Sequence, residues 1–192
     1  MRILKPLAVI VAVLVAACGG GEKTDPQQAF LQGMVPHHQS AVDMAEVAET
    51  EARTQFVKSL ASDITRSQTA EIGQMGQIHE RLFDAPLEPD MGGHSALGLS
   101  AQEAGMDHMD GANMIRGKKP FDRAFVEEMI PHHEGATRMA EAVLAETDDR
   151  ELRALADGII AAQKKEIAAM EGFLEREYGA TAGLTGGEKG ST

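Results

Sequence analysis

The stretch Met34-Val-Pro-His-His-Gln-Ser-Ala-Val-Asp-Met-Ala-Glu46 recurs 95 residues later as Met129-Ile-Pro-His-His-Glu-Gly-Ala-Thr-Arg-Met-Ala-Glu141. The agreement continues in the same register, because the pattern from Leu60 to Met75 returns from Leu155 to Met170. The chain therefore contains an internal repeat of about 50 residues, roughly 30–79 and 125–174. Two copies are too few for a solenoid. We therefore expect an all-α fold, a four-helix bundle made of two duplicated helical hairpins.

Apolar residues recur at helical spacing in both copies. Asp25 followed by Pro26 is a favourable helix start, and the first helix is expected to end near Ala52. The second helix should stop before Asp84, and the other two should cover 121–146 and 150–178. Pro36 and Pro131 in the repeated motif either kink a helix interior or begin a new helix.

The N-terminus reads as an export signal. Arg2 and Lys5 precede an apolar run, Leu7 to Val15, which is too short to span a membrane as a helix. Val15-Ala-Ala-Cys18 then resembles a lipoprotein cleavage box. The alternative is an ordinary signal peptide with an incidental cysteine. We expect a signal peptide at 1–17, membrane anchoring through lipidated Cys18, and a flexible tether at 18–25.

Charge and cysteine content narrow the function. The chain has 18 basic and 30 acidic residues, and removal of the signal peptide leaves a net charge of −14. An anionic surface disfavours nucleic acid as a partner. Cys18 is the only cysteine, so the chain has neither an intramolecular disulfide nor a thiolate metal site. Any bound metal must be held by His, Met, Asp or Glu.

The two hairpins, 26–84 and 120–178, are joined by a long linker at 85–119. A loop of this length is usually functional or mobile. Ser100 to Glu103 is expected to start a short helix within it, and the Gly-rich tail 179–192 is expected to be disordered. The linker is also a weaker candidate metal site, the alternative being chance enrichment; its candidate ligands are Met91, His94, Met106, His108, Met109 and Met114.

Two adjacent histidine pairs form the principal candidate metal site. Pseudo-twofold packing of the first and third long helices would bring the pairs together. Thioether plus imidazole without thiolate favours copper, Cu(I) especially, whereas imidazole alone also suits Zn, Ni or Cu(II). The alternative is that the methionines fill the core and the histidines are hydrogen-bonded core residues. The candidate ligands are Met34, His37, His38, Met44, Met129, His132, His133 and Met139.

Polar residues interrupt the apolar stripes of the second and fourth helices. Unpaired burial of such groups costs about 1–3 kcal/mol, so they require partners. One candidate partner is a histidine across the bundle, which a Glu would orient by a hydrogen bond. The alternative is that the two glutamates contribute to a carboxylate site. These positions are Gln68 and Glu71 in one half and Gln163 and Glu166 in the other. His79 has no repeat counterpart, since Leu174 stands there, and is expected to be a surface or capping residue.

The motifs resemble the domain-of-unknown-function family 305, over about 26–178. The resemblance rests on Met34 to Ala45 with Ala61 to Met75, and on their second copies. It implies a ferritin-like four-helix bundle, usually exported, with copper binding and resistance linked to some similar proteins. His37, His38, His132 and His133, with nearby Met, are then the candidate ligands.

We therefore expect a lipoprotein on the periplasmic side or cell surface of the envelope that sequesters or relays copper. One alternative is a metal-free structural or interaction module of the envelope. Another is a ferritin-like redox enzyme, which is disfavoured because the chain lacks E-x-x-H pairs. H-E-x-x-H and nucleotide-binding motifs are also absent from the sequence, so no enzymatic activity is expected.

Overall fold

A computed structural model of the protein describes residues 24–179. The expected signal peptide, the lipidation of Cys18 and nearly all of the expected tail lie outside these residues. Within them the chain is helical and no strand is present, which confirms the all-α expectation. None of these helices combines the length and apolarity needed to cross a membrane. The helices are α1 (Pro26–Glu51), α2 (Gln55–Phe83), α3 (Gly111–Ile115), α4 (Phe121–Glu146) and α5 (Arg150–Tyr178).

Local capping explains where the long helices begin. Asp25 accepts a hydrogen bond of 2.8 Å from the backbone N–H of Gln27, and Pro26 occupies the first turn of α1. Asp149 caps α5 in the same manner. Such side chains satisfy backbone donors that have no partner within the helix. The sequence-based bounds of the four long helices therefore agree closely with the structure.

Both motif prolines lie inside helices, Pro36 in α1 and Pro131 in α4, so the alternative that each begins a helix is wrong. A proline has no N–H to donate to the carbonyl four residues earlier. In α1 this carbonyl belongs to Gln32, and it instead accepts a 3.0 Å hydrogen bond from the backbone N–H of Asp90 in the linker. The proline thus creates a docking point for the linker one turn before the histidines.

Two apolar clusters fill the bundle. One contains the C-terminal half of α1 with the start of α4, and the other contains the start of α1 with the C-terminal half of α4. Helices α1 and α4 therefore run antiparallel, and His37 and His132 lie between the clusters along them. The methionines of the repeat form three pairs that are 95 residues apart, and one member of each pair lies in each cluster. The first cluster contains Met44, Met129 and Met170, and the second contains Met139, Met34 and Met75.

Two expectations about shorter features require correction. Ser100 and Glu103 cap each other, but only hydrogen-bonded turns follow, because Gly105 takes a left-handed conformation (φ 68°) and stops a helix from forming. The linker instead forms short 3-10 helices at Gly93–Leu97 and Met106–His108. His79 is buried rather than on the surface, and its Nδ1 lies 3.0 Å from the carbonyl of Ala85, just beyond α2. The capping part of that expectation agrees with this contact.

Candidate metal centre

His37 of α1 and His132 of α4 face each other at the middle of the bundle. Their ring centroids are 4.0 Å apart, with the ring planes tilted by 48°. Both side chains are fully buried, and none of their four ring nitrogens has a hydrogen-bond partner among residues 24–179. Buried polar atoms are normally paired, and an unpaired one costs about 1–3 kcal/mol. The arrangement therefore suits a ligand that accepts imidazole lone pairs.

His38 and His133 flank this central pair, and each is oriented by a carboxylate. His38 Nε2 lies 2.8 Å from Glu71 Oε2, and His133 Nε2 lies 2.8 Å from Glu166 Oε2. A carboxylate accepts, so Nε2 donates and the lone pair of a neutral ring is left on Nδ1. Neither Nδ1 atom has a partner in the described part of the chain. Carboxylates orient metal-binding histidines in this way in many proteins.

Electrostatics keep the central pair neutral. Burial lowers the pKa of His37 well below its ordinary value of 6.5, and the neighbouring imidazoles of His38 and His133 lower it further. The nearby carbonyl of Ala104 raises the pKa of His37, although its geometry falls short of a hydrogen bond. Burial likewise lowers the pKa of His132, and the adjacent histidines add to the effect. Both rings are therefore in the form that binds metal at neutral pH.

The motif methionines are all fully buried in the apolar clusters. The Met44 sulfur packs directly against Gly111 of α3, and the Met139 methyl group packs against Gly33 of α1. These contacts give Met44 and Met139 a packing role between elements. Their role as ligands, and that of Met34 and Met129, stays a prediction.

The four polar residues of α2 and α5 behave in two ways. Glu71 and Glu166 have the histidine partners expected from the sequence, although each partner lies on the adjacent helix of the same hairpin. Gln68 and Gln163 are only 2% exposed, and their amide atoms have no partner among residues 24–179. The expected histidine partners of the glutamines are therefore not observed.

The linker candidates do not gather into one cluster. Met91 and Met114 are exposed, whereas Met106 is buried. His94 bonds the carbonyl of Met91, and His108 Nδ1 lies 2.7 Å from Glu128 Oε1. Glu128 was missed in the sequence because its repeat counterpart is Gly33, so no pattern marked it. Met109 is half-buried against the second apolar cluster.

The donor set limits which ions fit the centre. Among residues 24–179, no group of three or more His, Cys, Asp or Glu side chains is arranged to hold a metal ion. The centre instead offers two facing imidazoles, and the next residue on each helix, His38 or His133, has a buried Nδ1 atom without a partner among the described residues. Such donors fit soft or borderline ions, whereas Ca²⁺ and Mg²⁺ require many oxygen ligands.

The fold and this centre define an all-α protein in which two helical hairpins bury paired histidines between apolar clusters. The chain belongs to the family described as domain of unknown function, DUF305, whose match covers residues 27–174. An uncharacterised protein of Acanthamoeba polyphaga mimivirus is 35% identical over 69 residues, which are 36% of this chain. That match spans 45% of the viral protein, less than half of its length.

Solved structures of related proteins share the fold over most of this chain. CopM in its Cu(I)-bound form is 34% identical with a TM-score of 0.64, and the match covers 79% of this chain and 97% of CopM. The Cu(II)-bound form of CopM is 32% identical with a TM-score of 0.65 and the same coverage. A putative secreted DUF305 protein from Streptomyces coelicolor is 25% identical with a TM-score of 0.70, covering 83% of this chain and 97% of that one.

Proposed function

We propose that this protein binds copper at the His37–His132 centre and sequesters or relays it in the cell envelope without catalysing a reaction. The observation that carries the proposal is the facing pair of buried, neutral imidazoles whose nitrogens have no partner in residues 24–179. The related CopM structures contain Cu(I) or Cu(II), which supports copper as the metal.

The chemistry of the centre favours Cu(I). Cu(I) is soft and tolerates low coordination numbers, so two imidazoles can hold it, and a thioether can add to them. His38 and His133 are held in orientation by their glutamates, and each has a buried Nδ1 atom without a partner among residues 24–179. Because the central rings are already neutral, metal binding does not have to displace protons from them. A fully buried site of this kind would shield the ion from water.

The N-terminal sequence and the relatives support the proposed location. The expected lipoprotein signal would place the mature chain outside the cytoplasm, anchored through Cys18. The likeness to a putative secreted protein of the same family supports export. Methionine remains a ligand in an oxidising compartment where thiols form disulfides. Met/His chemistry is thus suited to copper handling in the envelope.

A competitive Cu(I) titration against a colorimetric chelator tests the proposal. The chain from Glu22 onward is compared with a variant in which all four motif histidines are alanine, after circular dichroism shows intact helicity. We expect the variant to bind at least tenfold more weakly, about 1.4 kcal/mol. Equally tight binding would place the site in the linker, and no binding by either protein would leave a metal-free envelope module. Bound iron with an oxygen-dependent absorbance change would instead indicate a redox enzyme.

A further inference from the structure

A short segment of the linker, residues 104–109, lies across the central histidines and is here called the strap. Ala104, Gly105 and Met106 in it are buried, although they belong to the linker between the two hairpins. A Cβ atom placed on Gly105 would lie 3.3 Å from His37 Nε2 and 3.2 Å from the carbonyl oxygen of His132. The backbone at Gly105 therefore lies against the His37 ring and the His132 backbone, and only glycine fits there without strain at φ 68°.

A second glycine, Gly135 on α4, permits this close approach. A Cβ atom on Gly135 would overlap the carbonyl of Ala104 and the backbone nitrogen of Gly105. The strap thus contacts the α4 backbone with no side chain between them. Because Gly105 also lies beside the His37 ring, the strap is one of the elements that bury this histidine.

The strap and its flanks are held by few polar contacts. The Arg138 guanidinium donates to the carbonyl of Glu103 at one end. Ser40 Oγ donates to the carbonyl of Met109 at 3.1 Å, and His108 bonds Glu128. The bonds of Arg138 and Glu128 involve charged groups and contribute about 1.5–3 kcal/mol each, and Ala104 and Met106 pack in the second apolar cluster. This is less than the packing that holds the four long helices together, so the strap can open locally while they stay packed.

We propose that the strap is a cover that must lift from α1 and α4 before a metal ion reaches His37 and His132, so that its opening sets the rate of metal uptake. This inference rests on the proposed function, because it concerns access to the same centre. The histidines are fully buried, and apolar clusters of the long helices lie on either side of them along α1 and α4. Opening a short loop requires less loss of packing than separating those helices.

The first test treats the full chain with diethyl pyrocarbonate, which modifies neutral imidazoles that it can reach. Tandem mass spectrometry then locates the modified rings. Gly135→Ala inserts a methyl group where the Ala104 carbonyl lies and should push the strap away. Gly158→Ala on α5 is the control, because a Cβ atom there meets nothing within 4 Å. We expect His37 and His132 to react roughly tenfold faster in Gly135→Ala and at an unchanged rate in the control.

A second variant keeps the test valid if Gly135→Ala disturbs folding. Arg138→Ala removes the anchor to Glu103, and Arg123→Ala removes an arginine of similar exposure on the same helix, 42% against 39%. We expect Arg138→Ala to speed modification roughly fivefold and Arg123→Ala to leave it unchanged. Unchanged reactivity of the central histidines in both strap variants, with helicity intact, would overturn the proposal.

Stopped-flow uptake of Cu(I) from a chelator separates this proposal from the proposed function. The strap variants should take up Cu(I) faster than the wild type by a factor similar to their gain in histidine reactivity. Faster modification with no Cu(I) binding in any variant would support a moving strap and refute copper binding. Cu(I) binding at an unchanged rate despite faster modification would refute strap opening as the step that sets the rate of uptake.

Discussion

Replacing His37 and His132 together with leucine should stabilise the metal-free protein. The two rings lie 4.0 Å apart, are fully buried, and have four nitrogens without hydrogen-bond partners among residues 24–179. Each unpaired buried polar group costs about 1–3 kcal/mol, whereas a leucine of similar volume buries only apolar surface. A stability cost at a functional site is commonly retained because activity requires it.

The size of the effect follows from these terms. Relief of about 1.5 kcal/mol for each of the two imidazoles, less about 1 kcal/mol for imperfect packing, leaves a gain of about 2 kcal/mol. For a domain of this size the gain corresponds to roughly 4–8 °C in Tm. Urea denaturation of metal-free protein at pH 7.5, followed by circular dichroism, measures the free energy of unfolding.

The matched control is the double substitution of His38 and His133 with leucine. Each of these rings bonds a glutamate, Glu71 or Glu166, that is only 17% or 18% exposed. Their removal should destabilise the protein by about 1–2 kcal/mol for each pair, because a carboxylate is left without its donor. If the central variant loses stability as the control does, the central rings have partners and are ordinary core histidines. That result would refute the reasoning.

Three further predictions concern the same bundle. Glu71→Gln should weaken Cu(I) binding roughly tenfold or more in the chelator competition, because the orienting carboxylate is lost, and unchanged affinity would contradict this role. Burial holds the pKa of His37 and His132 below 6.5, so the unfolded chain binds more protons. The contribution of these two rings to the free energy of unfolding should therefore be constant above about pH 7.5. Below about pH 6.5 it should decrease by up to about 1.4 kcal/mol per pH unit for each ring. Urea titrations of the variant with leucine at both positions should lack this decrease. Asp122 is buried and links α4 to the α1–α2 turn. Its carboxylate accepts hydrogen bonds from the backbone N–H groups of Arg53 at 2.9 Å and Thr54 at 2.7 Å. Asp122→Ala should cost about 2–3 kcal/mol in the urea assay, and a loss below about 0.5 kcal/mol would show that this link is unimportant.

Short-range signals made the helices predictable from the sequence. Asp25 before Pro26, and Asp149 before Arg150, provide side-chain acceptors at helix starts, and these preferences act within a few residues. The 95-residue offset places the two histidine pairs at equivalent positions of α1 and α4, and it therefore predicted that they would lie close together. His37 and His132 are in contact in the structure.

Features that depend on tertiary packing could not be predicted in this way. Ser100 and Glu103 formed their capping pair, but the backbone at Gly105 turns away to cover the histidines, and nothing local in the sequence signals this. His79 looked exposed because it has no repeat counterpart, yet the chain after α2 folds over it. The linker methionines do not gather, because Met106 and Met109 pack in or against the second apolar cluster whereas Met91 and Met114 are exposed.

X-ray absorption at the copper edge, on protein loaded with one equivalent of Cu(I), tests the central claim most directly. The account predicts imidazole nitrogen in the first coordination shell of copper, and its loss when His37 and His132 are both leucine. A sulfur-only shell that is the same in wild type and variant would contradict the account, because copper would then be bound by methionines away from the histidine centre.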